Sequence, residues 1–112
     1  MALRPEVLRY KRDFDRLYKK GRSTGDAYVV VFHISNGLKY SRKAFLASKK
    51  VGGAVARNRA RRLMKEGFRK IESEVLPGKD ILFIARRAAA GVGCPEVEKS
   101  IRRALNKSGL LE

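Results

Sequence analysis

The chain of 112 residues is poor in several residue types, and each scarcity removes a class of function. A single cysteine, Cys94, excludes an intrachain disulfide framework and a cysteine-based zinc site. A single histidine, His33, leaves no second imidazole for acid–base cleavage of RNA by paired side chains. The eleven acids are scattered among 27 bases, so no carboxylate cluster for metal-assisted hydrolysis is visible. Gly52-Gly53 lacks the rest of a phosphate-cradling loop, which would end in Lys-Ser or Lys-Thr. No apolar run approaches the ~20 residues of a membrane span. The N-terminus, MALRPEVLRYKRD, is charged and lacks the apolar region of a secretory peptide. These absences predict no catalytic residue, no metal ligand and no membrane partner, and a cytoplasmic location.

What the chain has in excess is positive charge. Lys+Arg 27 against Asp+Glu 11 gives a net +16, and the pI is about 10.7, the electrostatic footprint of a nucleic-acid binder. An apolar content of 44% argues against disorder. The charge is unevenly spread. The stretch Lys49–Lys70, KKVGGAVARNRARRLMKEGFRK, holds nine bases and one acid, Glu66, for a net +8. Residues 1–22 carry +5, and residues 94–112 only +1. Placed on a wheel of ~100° per residue, Ala56, Ala60, Leu63, Met64, Gly67 and Ile71 fall on one side, with Phe68 at its edge. Asn58, Arg61, Arg62, Lys65 and Arg69 fall opposite. Solvated helices usually alternate signs to gain i,i+4 pairs. A stripe of one sign repels itself and points to an anionic partner.

Taken in order, residues 1–10 read as an irregular basic arm, with Pro5 against regular structure. Tyr10, Phe14, Leu17 and Tyr18 follow helical spacing and predict a helix over 11–20, stopped by Gly21. Phe14 and Tyr18 serve either a core or a stacking surface for unpaired bases. Ala27–Ile34 is a β-branched and aromatic strand, and His33 within it reads as structural. Asn36-Gly37 signals a hairpin, so 39–48 should return antiparallel beside it, with Ala44–Ala47 buried on both faces near its end. The basic helix is expected over 54–74, a buried strand over Asp80–Ala85 with Arg86-Arg87 at its rim, and a final helix from Cys94-Pro95 to about Lys107. The order α-β-β-α-β-α predicts an α+β fold: a small two-layer α-β sandwich, one domain over 1–112, with one sheet face packed by helices.

Residues 48–69, SKKVGGAVARNRARRLMKEGFR, resemble the signature of the bacterial ribonuclease P protein subunit: Ser-Lys-Lys, a hydrophobe, Gly-Asn-Ala-Val, one residue, then Arg-Asn-Arg-x-(Lys/Arg)-Arg. Asp13-Phe14, Leu17-Tyr18 and Gly21 fit the family's upstream pattern, and the strand ending in Ala85-Arg86 fits its downstream one. Gly53 replaces the family's usual Asn, and 43–47 depart from its usual strand run. The resemblance implies a sandwich like that of a small ribosomal-protein domain, with a left-handed β-α-β crossover. It implies a partner to a catalytic RNA, which uses Mg2+ to remove the 5′ leader of precursor tRNA. The site residues it implies are Lys49, Lys50, Arg57, Asn58, Arg61, Arg62 and Lys65, with Arg59 and Arg69 of the same helix, toward RNA. Phe14 and Tyr18 would line the leader cleft. No protein partner is expected. A structural ribosomal RNA-binding protein, and more weakly an autonomous nuclease, stay open as alternatives.

Overall fold

The most deeply buried strand takes a central place in the sheet although it is the last to appear in the chain. The computed structural model describes residues 6–112, and positions 1–5 of the expected arm lie outside the described residues. The elements are α1 (Lys11–Lys20), β1 (Arg22–Gly25), β2 (Val29–Ser35), β3 (Arg42–Leu46), α2 (Ala54–Arg69), β4 (Lys79–Ala85) and α3 (Cys94–Lys107). Short 3-10 turns cover Glu72–Glu74 and Arg87–Gly91. The sheet order is β1-β2-β4-β3, with β3 parallel to β4 and the other pairs antiparallel.

This arrangement overturns the expected hairpin between β2 and β3. The two strands run in opposite directions, but β4 lies between them. Ile81, Leu82 and Phe83 are almost wholly buried, and a strand apolar on both sides is best placed centrally. The turn residues at 36–37 serve another purpose. Asn36 donates its backbone N–H to Gly78 (2.9 Å) and its side-chain amide to Asp80 (2.9 Å), while its Oδ1 accepts from the Leu38 N–H (2.8 Å). The connection therefore wraps around the start of β4. The true hairpin is β1–β2, closed by the Asp26 N–H bonded to the Val29 carbonyl (2.8 Å). β1 was absent from the expected order because RSTG has no apolar alternation; it is an edge strand held by backbone pairing.

Helices cover both faces of the sheet, which corrects the expectation of one packed face. Val29, Val31, Ile81, Phe83 and Ala85 point to α2 and α3, meeting Ala60, Met64, Phe68, Ile101 and Leu105. Phe83 stacks on Phe45 (5.1 Å between centroids) and tilts against Phe68 (4.8 Å). The alternate residues Phe32, Ile34, Ala44, Leu82 and Ile84 point to α1, meeting Leu8, Phe14 and Leu17. Leu46, expected inside, is exposed at the end of this face. Residues 6–8 run along the edge of β3, with the Leu8 N–H bonded to the Lys43 carbonyl and the Lys43 N–H to the Glu6 carbonyl, both 2.9 Å.

Two polar clusters fasten the layers. Asp80, at 1% exposure, accepts from Arg42 Nε (2.8 Å) and Nη2 (2.6 Å), and Arg42 also reaches Asp13 of α1 (3.5 Å). Ser100 of α3 donates to Asp26 (2.7 Å) and accepts the Tyr28 N–H (3.0 Å). Arg103 and Lys107 also donate to Asp26. Burial works against the charged Asp26, yet the hydrogen bonds from Arg103, Ser100, the Ala27 backbone and Lys107 hold it far below the usual carboxylate range. α2 ends at Arg69, earlier than expected, and the chain to Glu74 tightens into a 3-10 turn.

Candidate nucleic-acid interface

At one end of the sheet β2 begins while β3 and β4 finish, and the chain there delivers three basic segments. After β3, the buried Val51 anchors a turn whose Lys49 and Lys50 stay exposed, with the Val51 N–H bonded to the Ser48 carbonyl (3.0 Å). α2 then starts at Gly53, which has extended backbone and no side chain to cap the first turn. The family Asn at this position would be placed to supply such a cap, and here those donors stay open. After β4 come Arg86 and Arg87, both exposed. Arginine-to-carbonyl bonds tie the three segments together: Arg87 Nε reaches Lys50 (3.3 Å), and Arg59 holds both Ala90 and Val92 (3.2 Å each), while Arg86 reaches Asp26 in the β1–β2 turn (3.2 Å).

The expected division of α2 into two faces is present. Ala60, Leu63, Met64, Gly67 and Phe68 are buried, as is Ile71 beyond the helix end, and Ala56 is half-buried. Asn58, Arg62, Lys65 and Arg69 are exposed, with Arg61 half-buried and donating to Asn58 Oδ1. Val55 is 83% exposed on the same outward side. Arg59 lies on the flank toward the 87–92 segment and spends its guanidinium there. Arg57 is half-buried, and its Nε is enclosed without a hydrogen-bond partner. Among the described residues, Lys49, Lys50, Arg57, Arg61, Arg62 and Lys65 form no ion pair, whereas Arg69 is bonded to Glu66 (3.3 Å) and Lys70 to Glu98 (3.4 Å). The uncompensated charge of this stretch therefore runs from the turn before the helix as far as Lys65.

α1 crosses the opposite face of the sheet, with Leu17 fully buried beneath it. Tyr18 is 48% exposed, and its ring meets Phe32 edge-on at 5.2 Å. Phe14 is half-buried against Leu8, Leu17, Ala44 and Leu82. A groove of about 480 Å³ follows the edge of β3 and is lined by Phe14, Leu46, Phe68, Lys65 and Arg69. One aromatic of α1 and two cations of α2 thus share a single depression, although the two helices pack on opposite faces. Tyr18 lies outside it, farther along α1. Leu46 and Lys43, also on this groove, were not expected at a binding surface; their one signal for it was position on a strand just before the basic stretch. His33 is half-buried, and burial, then Lys79 and Arg22, lower its pKa below the usual 6.5.

Fold and surface together define a class: a small α+β domain with a mixed four-stranded sheet and a dense group of unpaired cations around the start of its central helix. Comparison with known proteins narrows the class to one family. The sequence model of the Ribonuclease P family matches residues 3–109. A ribonuclease P protein component of Clostridioides difficile is 38% identical over 108 residues, covering 96% of this chain and 95% of the relative. The structure of the Staphylococcus aureus RNase P protein superposes with a TM-score of 0.86 at 31% identity, covering 97% of this chain and all of that one. The Thermotoga maritima RNase P protein gives 0.81 at 32% identity, covering 91% and 96%. The chain belongs to the ribonuclease P protein component family.

Proposed function

We propose that this chain is the protein subunit of ribonuclease P, and that it binds the enzyme's catalytic RNA and the 5′ leader of precursor tRNA. In doing so it promotes endonucleolytic removal of the leader to give mature tRNA 5′ ends, in the cytoplasm. Family membership supports the place in the enzyme. The observation that carries the division of labour within the protein is the shared groove: Phe14 of α1 beside Lys65 and Arg69 of α2. Unpaired leader bases stack on Phe14 in this groove and on Tyr18 beyond it without regard to identity, because every base has a π-face. The leader phosphates meet Lys65 and Arg69. The outward face of α2, with Lys49, Lys50, Arg57, Asn58, Arg61 and Arg62, takes the catalytic RNA by releasing counterions from its backbone. Arg59 acts differently, by holding the 87–92 segment against α2.

In this reading the protein supplies no catalytic group. The RNA subunit performs the phosphodiester chemistry with Mg2+, and the protein positions the substrate and offsets charge repulsion between the two RNAs. The test is reconstitution with a bacterial ribonuclease P RNA at low magnesium. Precursor-tRNA cleavage should rise well above that of the RNA alone. No stimulation, or efficient cleavage by the purified protein without RNA, would overturn the reading.

A further inference from the structure

The end of the sheet far from the start of α2 carries a second basic depression. It lies where α1 and β2 finish and β4 begins, has a volume of about 470 Å³, and is lined by Arg16, Lys20, Arg22, His33, Ser35 and Lys79, with Ile34. The cations come from three elements. The register pairs Arg22 with His33 and Ser35 with Lys79, which puts these four on one sheet face. Arg16 and Lys20 reach the rim from α1 on the other face, and the Arg16 guanidinium is fixed by the Ser35 carbonyl (2.8 Å). Lys79 Nζ is held by Ser35 Oγ (3.0 Å). No acid lines the depression. Elsewhere the molecule places an acid beside many of its cations: Asp15 by Lys11, Asp80 by Arg42, Glu72 by Lys43, Glu74 by Arg102. Four cations converging with none is a repulsive arrangement, and it is relieved by an external anion.

We propose that this depression is a second phosphate-binding site, which grips the backbone of the catalytic RNA at a point separate from α2 and from the aromatic groove. The depression shares no lining residue with the aromatic groove, and its phosphate is assigned to another RNA element. Arg16 and Lys79 are pre-positioned by Ser35, which lowers the ordering cost of binding. Lys20 and Arg22 complete the grip. The identity of the RNA rests on the function proposed above, whereas the chemistry of the site does not.

His33 is the only histidine of the chain and sits at this site, so it reports directly on occupancy. The charged groups facing it are Arg22 of β1, Lys79 of β4, and Arg16 and Lys20 of α1, all cationic. A bound phosphate favours the protonated ring and should raise its pKa, read by NMR titration as inorganic phosphate replaces chloride at constant ionic strength. The combined Arg22→Gln and Lys79→Gln variant should lose most of that response. In a second arm, Lys20→Gln and Arg22→Gln should each weaken binding to a bacterial ribonuclease P RNA roughly fivefold near 0.15 M salt and reduce the salt slope by about one. A His33 that ignores phosphate overturns the site. A response to phosphate with an unchanged RNA salt slope shows an anion site that RNA does not use. Weakened precursor-tRNA affinity of the assembled complex, with RNA binding intact, overturns the assignment to the catalytic RNA. If the unaltered protein binds no ribonuclease P RNA while phosphate still moves His33, the proposed function fails and the site stands.

Discussion

α2 and α3 lie side by side on the same face of the sheet, both rich in cations, and they use that charge in opposite ways. In α3 three of the four cations turn to acids of other segments. Arg102 holds Glu74 with two bonds (2.9 and 3.0 Å), and Arg103 and Lys107 converge on Asp26. In α2, Arg57, Arg61, Arg62 and Lys65 meet no acid among the described residues. Charge that is matched within the fold fastens one element to another, and charge left unmatched is available to a partner. Counting charges ranks the two helices, but only locating the acids shows what each does with its cations.

The place where the helices touch gives the strongest way to break the comparison. A Cβ built on Gly67 would stand 3.1 Å from Cα and 3.2 Å from N of Glu98, so α3 backbone fills the space beside that glycine. Gly67→Leu should force the helices apart and cost about 3 kcal/mol by overpacking. A chemical denaturation curve measures this, and an unchanged midpoint would show that the helices slide freely.

Next comes the inward-facing charge. Asp26, whose side chain is 6% exposed, loses its ionic partners in Asp26→Asn, for an expected loss of about 2 kcal/mol near neutral pH. The sign with pH follows from its depressed pKa: the contribution is complete above the unfolded value near 3.8 and is lost as pH falls from there toward the folded one. Stability curves of the parent and variant should therefore converge in acid. Curves that stay parallel would mean that Asp26 is not the titrating group.

The outward-facing charge should behave in reverse. Arg62→Ala is expected to weaken RNA binding by about 1 kcal/mol and to lower the salt slope by about one, with an unchanged melting temperature. Arg103→Ala should leave the slope untouched. The smallest effect separates two arginines of one motif. Arg59→Ala should cost about 1 kcal/mol of stability through the freed 87–92 segment while leaving the salt slope unaltered. A slope reduced as much as in Arg62→Ala would place Arg59 among the RNA contacts.

Much of the scaffold was legible because it follows from periodicity. α1 occupies 11–20 as its apolar spacing requires, and the buried and exposed sides of α2 follow from 3.6 residues per turn. What stayed hidden is non-local. Asn36-Gly37 carries a strong hairpin signal, yet β4 outcompetes β3 for the edge of β2 because its apolar residues gain more by central burial. Nothing in RSTG announces a strand, since an edge strand needs only its backbone. The basic stripe of α2 was readable, but the bonds from Arg59 to Ala90 and Val92 were not, because they join residues more than thirty positions apart. The basic depression at Arg22 and Lys79 was equally invisible, being assembled from four elements.

The central position of β4 also bears on how the chain comes to be folded. Both strands that flank β4 are synthesised before it: β2 and β3 have no shared neighbour, and Leu17 of α1 and Met64 of α2 lack their common floor, until residues 79–85 arrive. A nascent chain that stops short of Lys79 holds a two-stranded hairpin and two helices with no layer to close on, and isolated hairpins are marginal in water. The sheet therefore closes in one late, non-local step, with the search cost that distant pairing carries. Until that step the open strand edges and the dense positive charge are exposed together, which makes the unfinished chain a ready client for any polyanion close at hand.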